Sequence, residues 1–240
     1  MMKRNNFPFS AVLGLNHAKT AILIVLVNPR AGGLLISGPR GIGKSTLMRS
    51  TQELIERPWR DIPVSVTEDR LFGTIDTEKA IYSGQKKLYP GIINEADQGV
   101  LYLDDANLLR EDLLDFILNI AEVGAYQLER DGLSLRCDTS FTVIAAINPE
   151  SGMLSGACLD QFGLFVNVDN IHDENTRVEI LKRTISFEKD CASFCKLWKL
   201  ENEKIKKAIH SAMSLLPKVV VSSAMIQLAS VYALKAHVSG

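Results

Sequence analysis

The stretch Gly38-Pro39-Arg40-Gly41-Ile42-Gly43-Lys44-Ser45-Thr46 has the spacing G-x-x-x-x-G-K-S, the form of a loop that cradles phosphates. Its glycines let the backbone bend until successive N–H groups converge on phosphate oxygens. Lys44 then reaches the β- and γ-phosphates, and the Ser45 hydroxyl becomes a ligand for Mg²⁺. The flanks agree. Residues 33–37 are an apolar run of strand length, and residues 45–55 have helical spacing with Leu47, Leu54 and Ile55 on one face. Such a helix aims the positive end of its dipole at the phosphates. Gly38 to Thr46 are therefore the candidate nucleotide-binding residues, with ATP and Mg²⁺ as the expected cofactors.

A second anchor is Gly99-Val100-Leu101-Tyr102-Leu103-Asp104-Asp105-Ala106-Asn107. An apolar run ending in two carboxylates has the form of a Walker B strand, buried on both faces and opening at its C-terminal end into the ligand crevice. Asp104 is the expected holder of the Mg²⁺ hydration shell. Asp105 is the candidate catalytic group that orients and polarises an attacking water. Residues 141–147 form another buried strand, closed by Asn148-Pro149. Asn148 at that strand end is the second candidate catalytic residue, as a hydrogen-bond partner of the γ-phosphate or the lytic water. Equally, an Asn before Pro opens a turn.

Around these anchors the pattern alternates between strand and helix. Asn16 is expected to cap a helix carrying Ala18, Ala21, Ile22 and Val25. Val64 and Val66 point to a short strand. Residues 67–90 are polar, broken at Gly73 and Gly84, and read as a surface insertion rather than core. Residues 108–123 are helical, with Leu109, Leu113, Phe116, Ile117 and Ile120 facing the core. Residues 124–137 read as a hairpin turning at Arg130-Asp131-Gly132, and 164–168 as a further strand. A helix begins at Asp173. Beyond about Ser186 the pattern is helical only, in three segments, 192–200, 202–215 and 222–238. This change of composition places a boundary between an α/β nucleotide-binding domain, 1–186, and a helical domain, 187–240.

Bulk properties narrow the function classes. At 240 residues the chain buries a full core with room for a small appendage. A net charge of −1 gives no electrostatic case for nucleic acid or a membrane surface. The longest apolar run, 21–27, is too short to span a bilayer, and the two positive charges near the N-terminus have no apolar segment behind them as a signal peptide requires. The 4 cysteines show no C-x-x-C pair, which fits reduced thiols in a cytoplasmic compartment. Cys191 and Cys195 stand one helical turn apart, but nothing nearby in the sequence completes a metal-ligand set.

The order of P-loop, Walker B strand, hairpin, strand ending in Asn, and helical segment resembles the AAA+ ATPases. One branch is closer. Pro8-Phe9-Ser10-Ala11-Val12-Leu13-Gly14, Val66-Thr67-Glu68-Asp69-Arg70-Leu71-Phe72-Gly73-Thr74-Ile75-Asp76, Tyr89-Pro90-Gly91-Ile92-Ile93, Glu129-Arg130-Asp131-Gly132-Leu133-Ser134, Asn148-Pro149-Glu150 and Glu174-Asn175-Thr176-Arg177-Val178-Glu179 resemble the ATPase (I-type) subunit of magnesium chelatase across nearly the whole chain. The resemblance implies a three-layer α/β/α core with a parallel sheet and a short C-terminal helical lid. It implies a hexamer-like ring of identical subunits, joined by other chelatase subunits, in which ATP drives insertion of Mg²⁺ into protoporphyrin IX on the way to chlorophyll. The implied location is the cytoplasm, or the plastid stroma in a photosynthetic eukaryote.

Four departures from the family pattern stand out. Asp105 replaces the Glu that follows the Walker B aspartate; one methylene less draws the carboxylate back by about 1.5 Å, and misplacement on that scale can cost on the order of 10²-fold in rate. Cys158-Leu159-Asp160-Gln161-Phe162-Gly163 stands where the family has Leu-Leu-Asp-Arg-Phe-Gly, so Gln161 replaces an Arg that resembles a finger reaching the neighbouring subunit's γ-phosphate. Ser155 also stands in place of an Arg. The sequence ends at Gly240, before the family's nucleotide-sensing lid Arg, so a short lid is expected. Three readings follow: a chelatase motor with weakened hydrolysis, a ring subunit that binds nucleotide without turning it over, and a related AAA+ chaperone for metal insertion or protein remodelling.

Overall fold

The computed structural model describes residues 6–75, 88–130 and 133–236. In chain order its strands are β1 (Leu34–Ser37), β2 (Trp59–Ile62), β3 (Gly73–Ile75), β4 (Leu88–Pro90), β5 (Val100–Leu103), β6 (Ala125–Arg130), β7 (Leu133–Asp138), β8 (Thr142–Ile147) and β9 (Leu164–Asn167). The helices are α1 (Asn16–Val27), α2 (Lys44–Thr51), α3 (Glu68–Phe72), α4 (Ile92–Glu95), α5 (Glu111–Val123), α6 (Gly156–Asp160), α7 (Glu174–Lys189), α8 (Cys191–Leu215) and α9 (Ser223–Ala236).

Five strands form one parallel sheet in the order β2-β5-β8-β1-β9. Every residue of β1, β5 and β8 is buried, as expected of strands covered on both faces. Alternation along each strand sorts side chains into two cores. Leu34, Ile36, Val100, Tyr102, Ile144 and Ala146 face α1 and α2, where Ile22, Leu26, Leu47 and Met48 complete one cluster. Leu35, Leu101, Leu103, Val143, Ala145 and Ile147 face the other way, against Ile93, Leu114 and Ile117. The result is the α/β/α sandwich anticipated from the sequence, with helices α7 to α9 following.

Several local expectations are corrected. The strand expected at Val64 and Val66 lies earlier, at Trp59–Ile62, paired with Val100–Leu103. Pro63 has no N–H for a ladder and ends it. The segment 67–90 is not wholly surface. Leu71 is fully buried, Phe72 packs beside it, and β3 pairs with β4; Gly84 lies outside the described residues. Phe116, expected in the core, is half exposed and meets Phe72 edge-on. Asn16 does not cap α1: it is the first helical residue, and Leu15 precedes it in the left-handed conformation. The hairpin β6–β7 is present, with turn residues 131–132 outside the described set.

The segments 192–200 and 202–215 are one helix, α8, of 25 residues. The sequence pattern places a helix start at Asn202. Asn202 is instead buried, and its Oδ1 accepts hydrogen bonds from the Ser10 N–H (3.0 Å) and hydroxyl (2.7 Å). Its polarity is satisfied by the N-terminal segment rather than by ending the helix. On the same helix Ile205, Ile209 and Met213 join the α1–α2 core. Among the described residues no single helix is long and apolar enough to cross a membrane; α8 and α9 reach that measure only as a pair bent by 107°.

Candidate functional site

The loop after β1 emerges between β8 and β9, where the connections diverge to opposite sides of the sheet. This is the crevice at which open α/β sheets bind ligands. Gly41 and Gly43 hold φ of +82° and +92°, values that side chains rarely adopt, and Gly43 caps the start of α2. The N-terminal N–H groups of α2 are thereby turned towards the crevice. Pro39 is half-buried, while Arg40, Gly41 and Thr46 are exposed on the loop's outer side and Ile42 is half-buried.

Lys44 is buried, and its Nζ donates to the carbonyls of Gly38 (2.5 Å) and Pro39 (2.8 Å). Burial lowers the ammonium below its ordinary pKa; the charges of Asp105 and Asp104 oppose that shift and Arg40 adds to it. A lysine folded onto its own loop carbonyls is an available cation whose partners are weak acceptors.

The Ser45 hydroxyl donates to Asp104 Oδ1 at 3.2 Å. The fold explains the meeting. Asp104 continues the parity of Val100 and Tyr102, which face α2, and Ser45 sits in the first turn of that helix. Two residues 59 apart in sequence thus present a hydroxyl and a carboxylate side by side. Hard oxygen ligands of this kind suit Mg²⁺ held mainly through water and phosphate. Behind them the Tyr102 hydroxyl is buried with no hydrogen-bond partner among the described residues. Burial first, then the Asp104 charge, holds its proton far above the usual phenol range.

Asp105 turns out of the strand in the left-handed conformation, φ 49° and ψ 49°, which Asp tolerates better than most residues. Its carbonyl accepts from the Leu108 N–H at 2.8 Å, leaving the half-buried carboxylate on the Lys44 side. Asn148 lies at the end of the neighbouring strand and is buried, but its side chain is engaged in its own turn. Oδ1 accepts from the Glu150 N–H (3.3 Å) and Nδ2 donates to Ser151 Oγ (3.2 Å). Asn107, given no role from sequence, ties these loops together: its Nδ2 donates to the carbonyls of Asn148 (3.1 Å) and Gly152 (2.9 Å).

Two of the departures, Ser155 and Gln161, lie in the segment before β9, while Asp105 stands at the ligand end. Ser155 caps α6 by accepting from the Cys158 N–H (3.3 Å), and the buried Cys158 Sγ donates to Asp115 Oδ1 at 2.8 Å. Gln161 Nε2 donates to the Ala157 carbonyl at 3.4 Å. Gln161 therefore stands away from the loop of its own chain. Among the described residues no three His, Cys, Asp or Glu side chains converge as metal ligands, Cys191 and Cys195 included.

A model of the AAA domain, dynein-related subfamily, matches residues 33–161. The magnesium-chelatase 38 kDa subunit of Chlorobaculum tepidum is 34% identical over 92% of this chain and 67% of its own length. A magnesium-chelatase subunit ChlI homolog of Methanocaldococcus jannaschii is 33% identical, covering 96% and 73%. Among solved structures, a chain of the BchI–BchD complex of magnesium chelatase, from a single-particle cryo-EM reconstruction, aligns with TM-score 0.65 and 35% identity over 90% of this chain and 77% of that one. With its P-loop and Walker B strand tip together in a five-stranded parallel sheet, the chain belongs to the magnesium-chelatase I-type subunit family of AAA proteins.

Proposed function

We propose that this chain is the ATP-binding motor subunit of a chelatase-type complex, coupling nucleotide binding to insertion of Mg²⁺ into protoporphyrin IX. The observation that carries the reading is the 3.2 Å contact between Ser45 and Asp104 beside a lysine seated in a left-handed glycine loop. Lys44 leaves its loop carbonyls for the more negative β- and γ-phosphate oxygens, a stronger charge-assisted bond. Gly38 to Thr46, Pro39 apart, supply converging backbone donors. Ser45 and Asp104 hold Mg²⁺, which when bound neutralises charge on the transferred phosphoryl group. Asp105 orients the attacking water, and Asn148 acts on the γ-phosphate side once it leaves its turn. A cavity of about 860 Å³ adjoins Gly41, Gly43 and Thr46, with Val12, Ile171 and Ile180 as apolar walls, and has room for the base and sugar. Residues 1–186 form the nucleotide-binding unit and 187–240 the helical one. Copies of the chain assemble in a ring with further chelatase subunits.

A second reading, a subunit that binds nucleotide but leaves hydrolysis to its partners, is favoured by Asp105 and Gln161. The test is ATP affinity by calorimetry and steady-state hydrolysis, alone and with candidate partner subunits. Lys44→Ala is expected to weaken Mg·ATP binding on the order of 100-fold, since losing charge-assisted bonds costs about 3 kcal/mol. Unchanged affinity in that variant would overturn both readings. Rapid hydrolysis by the chain alone would exclude the second, and no binding to chelatase subunits would favour a related remodelling chaperone.

A further inference from the structure

Tyr102 is 2% exposed in β5, the strand that leads into Asp104. Its ring lies 6.0 Å from that of Trp59, whose own N–H is committed to Asp61 Oδ1 at 2.7 Å. The hydroxyl faces both the Asp104 carboxylate and the Ser45 hydroxyl, yet it satisfies hydrogen-bond geometry with no described residue. Solvent does not reach it. A buried hydroxyl without a partner is uncommon and calls for a reason. Here the reason lies next to it. Asp104 has two oxygens; Oδ1 accepts the Ser45 hydrogen bond, and a carboxylate held at one oxygen alone is less firmly fixed about χ2 than one held at both. Tyr102 is the unused donor on that side.

Resting on the nucleotide reading above, we propose that Tyr102 is a metal-positioning residue. When the site is loaded, its hydroxyl donates to the Asp104 carboxylate and fixes the direction in which the other oxygen meets the hydrated Mg²⁺. Partners behind a metal ligand commonly control affinity in this way, and their loss costs about 10- to 100-fold.

Tyr102→Phe removes one oxygen and keeps the ring, so the fold is retained; its thermal unfolding without ligand is expected to match the parent or exceed it, because an unpaired buried hydroxyl is lost. The measurement is binding of a non-hydrolysable ATP analogue to the full chain, in EDTA and across a Mg²⁺ titration. The expected result is unchanged affinity in EDTA together with about a 10- to 100-fold higher Mg²⁺ requirement. An unchanged Mg²⁺ requirement overturns the proposal. So does an equal loss of affinity with and without Mg²⁺, which would mark Tyr102 as a packing residue only. If the parent chain itself gains no affinity from Mg²⁺, the nucleotide reading falls and Tyr102's role falls with it; failure confined to the variant sinks Tyr102 alone.

Discussion

The two ends of the five-stranded sheet are built on different principles. At the C-terminal end, side chains bridge separate segments: Ser45 of α2 reaches Asp104 after β5, and Asn107 reaches the carbonyls of Asn148 and Gly152 after β8, while Lys44 rests on the carbonyls of Gly38 and Pro39. At the N-terminal end before β9, polar side chains close on their own turn. Ser155 caps α6, and Gln161 bonds back to Ala157. The first end carries the proposed nucleotide site. The second offers no cation where the family has one. Affinity and turnover draw on different residues; Gln161 lies before β9, away from the loop, whereas Asp105 stays beside Lys44 at the ligand end.

The contrast is most exposed at Gln161. In the assembled ring, Gln161→Arg is expected to raise ATP turnover on the order of 10³-fold, the lower range of what an arginine finger supplies. Its affinity for ATP in a single subunit should not change. A rise in affinity without turnover would break the division between the ends. Asp105→Glu sharpens it from the other side: lengthening the carboxylate is expected to increase turnover up to about 10²-fold, again with nucleotide affinity unaltered.

Smaller effects test the sheet that joins the ends. Ile144 is fully buried on β8, opposite Leu34 of β1 and Tyr102 of β5. Ile144→Ala is expected to cost about 2–5 kcal/mol in denaturant unfolding, while the folded fraction binds nucleotide as before. Smallest is the acid response of the helix starts. Asp173 accepts from the Thr176 hydroxyl and N–H, and Asp190 from the Ser193 side, and these bonds hold both carboxyls below their ordinary pKa. With the folded pKa depressed, the contribution is present above the unfolded value of about 3.9 and is lost as pH falls through the lower folded one. Replacing both by Asn keeps a capping oxygen without titration, so the helical circular-dichroism signal should lose part of its acid dependence between about pH 4 and 2.

Much of the ligand end was legible because its signals are local. The G-x-x-x-x-G-K-S spacing and the apolar runs leading to Ser37, Asp104 and Asn148 each specify strand, turn and helix within a dozen residues. Strand parity even puts Tyr102 on the face of Asp104, although nothing in the sequence says that its hydroxyl lacks a partner. The rest depended on distant contacts. Leu71 sits among charged residues and is buried because α4, with Ile92 and Ile93, packs against α3 in the same core. Asn202 reads as the start of a new helix until Ser10 is seen to bond its side-chain carbonyl within α8. The register of β2 is set by Pro63 together with pairing to β5, and only the second is invisible in the sequence.

The Asn107 amide has a mechanical corollary. By gripping the backbone at Asn148 and Gly152 it rivets the acidic corner to the start of the very segment that descends to Ser155 and Gln161. In the proposed ring, a shift in that corner would be passed along this short strut towards Gln161 and a neighbour packed there.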